Sequence, residues 1–97
     1  LPLVLQGLAR LRAATLAVDD ISFDDLKARV EPLLPQGGPW AGLARELLGT
    51  KKLAANDYQA AGEYFDGIIT DDAAPPSVKQ RATMFLALVK SSTPKAN

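Results

Sequence analysis

The chain has 97 residues, 47% of them hydrophobic, and its eleven Asp and Glu balance its eleven Lys and Arg. One small domain of this size buries only about 60 to 65% of the surface its unfolded chain exposes, so its core has to be strongly apolar. Neither Cys nor His occurs, which excludes disulfides, thiolate or imidazole metal sites and nucleophile–base pairs built on Cys or His, while charge balance leaves no cationic excess for nucleic acid. No cofactor or metal is therefore expected. A cysteine-free chain suits an oxidising or a reducing compartment. The apolar opening LPLVLQGLA is interrupted by Gln6 and followed by Arg10 and Arg12, well short of the ~20 apolar residues that cross a bilayer. Because the chain begins at Leu1 rather than Met, we expect it to be the C-terminal part of a longer protein, with any anchor or targeting element upstream.

In chain order, helices are expected over residues 2–18, 23–33, 40–55, 58–70 and 76–91. Ser22 precedes FDDLKARV, where a hydroxyl cap and the first-turn carboxylates of Asp24 and Asp25 would satisfy free N–H groups and oppose the positive helix end. PQGGP at 35–39 reads as a turn, Asn56 and Asp57 separate the third helix from the fourth, and Pro75 and Pro76 open the last with residues that lack the N–H a first turn cannot use. No alternating apolar and polar run bounded by hairpin signals occurs, so strands are not expected.

The string GLAR stands at 7–10 and again at 42–45, a step of 35. The same step carries Leu8 to Leu43, Phe23 to Tyr58, Val30 to Phe65 and Leu34 to Ile69, and Ala13 and Ala14 to Leu48 and Gly49, with apolar or small character kept at each pair. A further step takes Leu43 to Val78. Self-similarity at this period marks stacked helical pairs that cannot bury their apolar faces alone. The expected architecture is all-α: antiparallel helix-hairpin repeats in one domain, with a divergent unit at 1–38, a better-formed unit at 39–74, a capping helix at 75–92 and a tail at 93–97.

The second unit, with Leu48 and Gly49, then Tyr58, Ala61 and Phe65, and finally Pro75 and Pro76, resembles the tetratricopeptide repeat, a helix-turn-helix pattern of 34 residues. The resemblance is strong over 40–76 and looser back to Gly7. It implies that Gly49 and Ala61 are small where two antiparallel helices approach most closely, and that Tyr58 and Phe65 fill the space between successive hairpins. Arg45 and Lys52 stand where the family has Trp and another aromatic residue, and the first unit has Ala13, Ala14 and Leu26 in place of Leu, Gly and the small Ala, so its hairpin is expected to splay. More closely, PWAGLARELLG, NDYQAAGEYFDGI and DDAAPPSVKQRA are similar to the tetratricopeptide-like domain of bacterial ancillary Sec translocon subunits, over about fifty residues. That resemblance implies a periplasmic helical array on an inner-membrane anchor, in contact with membrane-associated folding factors; a cytoplasmic location is the alternative.

In the repeat family the first helix of each pair lines a concave surface, which implies a partner-binding set of Leu8, Leu11, Thr15, Leu43, Glu46, Thr50, Leu53, Arg81, Phe85 and Leu88. Plain core packing is the simpler reading for any one of the leucines. Leu11 and Thr15 occupy positions where a peptide-carboxylate clamp needs polar groups, which argues against one. Both ends carry apolar excess, with Leu3, Val4, Leu5, Leu16 and Val18 on the first helix and Met84 and Leu88 on the last, although terminal repeats normally present a polar outer face. Missing upstream repeats or self-association would account for it.

Other signals carry less. Asp19, Asp20, Asp24 and Asp25 lack the spacing, central Gly and closing Glu of a calcium loop and read as caps and solvated loop. Asp71 and Asp72 read as a cap for the last helix, Gly37, Gly38 and Gly42 as turn residues with no preceding strand, and Trp40 as an aromatic plug against the preceding hairpin rather than a partner anchor. The expected function is a non-enzymatic scaffold for a protein or peptide partner, with apolar burial along the concave face and specificity from Glu46, Arg81 and rim charges. It involves a membrane only through a segment outside this chain. The alternative is a structural homo-oligomerisation domain.

Overall fold

A computed structural model describes residues 2–92; the expected tail at 93–97 lies outside the described residues. Helices α1 (Leu3–Ala17), α2 (Phe23–Val30), α3 (Ala41–Ala54), α4 (Tyr58–Ile69) and α5 (Pro76–Ser92) follow one another, with a 3-10 turn at Glu31–Leu33. No strand occurs among the described residues. The fold is all-α, two helical hairpins followed by a fifth helix.

Local chemistry accounts for the boundaries. Ser22 Oγ accepts a hydrogen bond from the Asp25 N–H at 3.1 Å, which fixes the start of α2. That helix was expected to reach residue 33 but stops at Val30, because Pro32 has no N–H to donate to the Ala28 carbonyl; with Glu31 still in right-handed helical geometry, the chain tightens into the 3-10 turn. Between α3 and α4, Asn56 adopts φ +62°, a left-handed conformation that Asn tolerates better than most residues. There the Asn56 N–H donates to the Leu53 carbonyl and the Asp57 N–H to the Lys52 carbonyl, each at 3.0 Å, closing α3 in a Schellman pattern. The Asp57 side chain then accepts from the Ala60 N–H at 3.2 Å and opens α4, so two residues stop one helix and start the next.

Two apolar clusters share α3. One joins Ala61, Phe65 and Ile68 of α4 to Val78, Ala82 and Val89 of α5, with Leu53 and Tyr58 packed against it. The other joins Leu11 and Ala14 of α1, Leu26 and Val30 of α2, and Ala44 and Leu48 of α3. The α3–α4 and α4–α5 contacts are broad, whereas α1 meets α2 over a much smaller area of backbone approach. Leu26, one step of 35 from the small Ala61, is wholly buried, and α2, at 8 residues, offers α1 less length to pair with than the 12 residues of α4 offer α3.

A Cβ built on Gly49 of α3 would lie 2.8 Å from Cε1 and 2.9 Å from Cζ of Phe65 of α4. Phe65 therefore fills the interior of its own hairpin as well as the space toward α5, where its ring stacks on Phe85 with centroids 5.0 Å apart and planes 13° apart. Its expected role between hairpins was incomplete. The ring that joins the first hairpin to the second is Tyr64, tilted against Phe23 at 6.1 Å, while Lys52 Nζ sits 4.0 Å from the Phe23 centroid. Burial raises the Tyr64 hydroxyl pKa above its ordinary value, against the opposing influence of Lys52.

The two GLAR strings differ in what their glycines do. Gly7 leaves room for Trp40, whose Cδ1 would stand 2.6 Å from an added Cβ, whereas at Gly42 an added Cβ would meet Ala74 and Val78 at 3.4 Å, an ordinary contact. Trp40 is the plug the sequence implied: its indole Nε1–H donates to the Val4 carbonyl at 2.8 Å. Trp40→Phe keeps most of the ring's apolar surface but removes that bond, so we expect a loss of about 1 kcal/mol in urea unfolding with the slope unchanged.

Candidate functional site: a groove across three helices

A groove of about 760 Å³ opens across α1, α3 and α5. The helical repeat places one stripe of each helix there: Leu8, Leu11, Arg12, Thr15 and Leu16 from α1, Leu43, Glu46, Leu47 and Thr50 from α3, and Arg81 and Phe85 from α5. Eight of the ten residues expected from sequence are brought together in it. Leu53 is not in the lining, because it turns toward α4 and α5 and packs on their cluster, and Leu88 is half exposed away from the lining. Arg12, Leu16 and Leu47 were missed. Each stands four residues beyond another lining residue, a spacing that could have found them.

The polar groups in the lining mostly satisfy one another. Arg81 donates from Nε to Glu46 Oε2 at 2.8 Å and from its second terminal nitrogen to Oε1 at 3.0 Å, a bidentate pair between residues one step of 35 apart. The hydrogen bonds and charge of Glu46 hold the Arg81 guanidinium pKa above its ordinary value. Glu46 and Arg81, the residues expected to give specificity, are each occupied by the other, and together they span α3 and α5. The Thr15 hydroxyl donates to the Leu11 carbonyl at 2.8 Å and the Thr50 hydroxyl to the Leu47 carbonyl at 3.1 Å. Arg12 is exposed and has no ion pair among the described residues. The groove thus offers apolar surface, polar groups already engaged, and one uncommitted cation on its α1 side.

A second polar cluster lies away from the groove lining. Asp71, only 2% exposed, accepts from the Gly37 N–H at 3.2 Å and the Ala73 N–H at 3.0 Å and pairs with Arg45 at 3.5 Å. Arg45 also donates to the Leu34 carbonyl. Burial alone would raise the Asp71 carboxyl pKa, but the two backbone N–H groups and Arg45, with help from Lys79, outweigh it and hold the value below 3.8. Asp71 was expected to cap the last helix. Instead it ties the turn before α3, the α4–α5 loop and α3 itself into one joint, because its carboxylate is the acceptor that those buried donors require. No described helix is long and apolar enough to cross a membrane.

No family model, curated protein or solved structure matches the chain.

Proposed function

We propose that this chain is a non-enzymatic protein–protein interaction module of tetratricopeptide-like architecture, whose groove buries the apolar side chains of a partner segment. The observation that carries the reading is the groove itself: an open apolar channel drawn from α1, α3 and α5 whose polar side chains, Arg12 apart, are engaged within the fold. The repeat interpretation is supported by spacing, since α4 starts 35 residues after α2 and α5 starts 35 after α3. By the same resemblance the proposal extends to a periplasmic, inner-membrane-anchored scaffold in bacterial secretion or envelope protein folding. Fractionation of cells expressing the complete gene product tests that location.

Site-specific photocrosslinking tests the groove. A photoreactive residue at Thr15 or Thr50 is expected to capture a partner in cells, whereas one at Glu63, on the exposed side of α4, is not. Leu8→Asp, which charges the half-buried α1 wall, is expected to reduce capture at Thr50 at least about fivefold with helical content unchanged, since an unpaired carboxylate in an apolar contact is costly. Equal capture from all three positions would refute the reading.

A second reading, structural homo-oligomerisation, draws on exposed apolar side chains at both ends: Leu3 (83%), Leu16 (86%) and Met84 (72%). Zero net charge places no general repulsion between copies. Under this reading light scattering at high protein concentration shows a mass above that of one chain, and Leu16→Lys together with Met84→Lys returns it to the monomer. A monomeric mass at every concentration excludes it.

A further inference from the structure

The zero net charge conceals a strong segregation. The three helices that line the groove, α1, α3 and α5, carry eight of the eleven Lys and Arg but a single acidic residue, Glu46, which Arg81 neutralises. The other ten Asp and Glu lie on α2, α4 and the connecting segments. Of those eight cations only Arg12 and Arg81 reach the groove lining, Arg45 and Lys52 being paired with Asp71 and Asp57 outside it, and Arg12 stands at the groove uncommitted to any carboxylate among the described residues.

Backbone chemistry narrows the occupant further. An extended segment would bring unpaired N–H and C=O groups against a channel whose hydroxyls and main ion pair are already engaged, and each buried orphan is costly. A helix satisfies its own backbone and presents only side chains.

We propose that the occupant is an acidic amphipathic helix, its apolar stripe against Leu8, Leu43 and Phe85 and its carboxylates toward Arg12. This rests on the reading of the groove as a protein-binding surface. A planar anionic membrane would meet the same cations but not the recessed apolar channel, so a helix fits better.

The test uses fluorescein-labelled synthetic helices of about 18 residues, long enough to be partly helical when free. One has Leu at i, i+3, i+4 and i+7 with flanking Glu; a second replaces every Glu by Lys; a third interrupts the Glu version with two prolines. Vesicles of pure phosphatidylglycerol are the fourth probe. By fluorescence anisotropy at low salt, the Glu helix is expected to bind about tenfold or more tightly than the Lys helix, and the proline version to lose most of that affinity. Arg12→Glu, at an exposed position that leaves the circular dichroism spectrum unchanged, is expected to abolish or reverse the preference. Equal binding of the Glu and Lys helices, or undiminished binding of the proline version, overturns this inference while leaving the groove reading in place. Binding of neither Leu-rich helix overturns both. Vesicle binding without Glu-helix binding overturns it in favour of a membrane surface.

Discussion

Replacing Gly49 by alanine is expected to lower the thermal midpoint of this protein, although alanine in a helix interior is intrinsically favoured over glycine by up to about 1 kcal/mol. The added methyl would stand 2.8 Å from one edge atom of Phe65 and 2.9 Å from another. The ring has little room to retreat, because it is wholly buried and already stacked on Phe85. Overpacking of this kind costs about 1 to 3 kcal/mol, and Gly49→Leu should lie at or beyond the upper end. At roughly 4 to 8 °C per kcal/mol for a domain of about this size, the loss is easily seen in a melt followed by circular dichroism. Trimming the ring in the double variant Gly49→Ala with Phe65→Leu should recover part of it. An unchanged or raised midpoint for Gly49→Ala alone would refute the packing described.

The second large effect is expected at Asp71 and depends on pH. Asp71→Asn removes the charge that faces Arg45 and turns one of two acceptor atoms into a donor, leaving a buried N–H or the guanidinium short of a partner, at a cost of roughly 1 to 3 kcal/mol near neutrality. The carboxyl titrates lower in the folded chain than its ordinary value of 3.8, so the unfolded chain takes up its proton first as pH falls. The stabilisation is accordingly full above about pH 4, near the unfolded value, and declines as pH drops through the lower folded value. Melts of both proteins at neutral pH, pH 4 and the acid extreme should show the difference in midpoint narrowing only at the acid end. A difference that stays constant across the range would mean that charge is not what Asp71 contributes.

Helix positions and most of the groove could be read before the coordinates because they rest on short-range chemistry. Ser22, Asp57 and Pro76 act on residues within one turn of themselves, and the stripe containing Leu8, Leu11 and Thr15 follows from the helical period alone. What escaped depends on partners distant in the chain. Nothing near Asp71 announces that Gly37 and Arg45, 34 and 26 residues away, will need its oxygens. Likewise Glu46 and Arg81 were both placed at the groove, but their pairing follows from the distance between α3 and α5 and not from either helix. Leu53 illustrates the opposite error: it lies on the right helix, ten residues after Leu43, yet that increment turns it to the α4 side. The termination of α2 at Val30 was available in principle, since Pro32 sits inside the expected helix.

The uneven attachment of the groove's two sides has a mechanical consequence. The α5 side rests on a broad apolar seam with α4 and on the stacked rings of Phe65 and Phe85. The first hairpin joins α3 through its own apolar cluster and through longer side chains: Lys51 reaches from α3 to the Val18 carbonyl at the end of α1, Arg45 reaches the Leu34 carbonyl after the 3-10 turn, and Trp40 holds Val4. Long side chains can swing while keeping such bonds, whereas interlocked rings cannot slide without opening a void. The α1 wall, joined to α2 by the thinner contact, is therefore the side of the groove with less packing to restrain it.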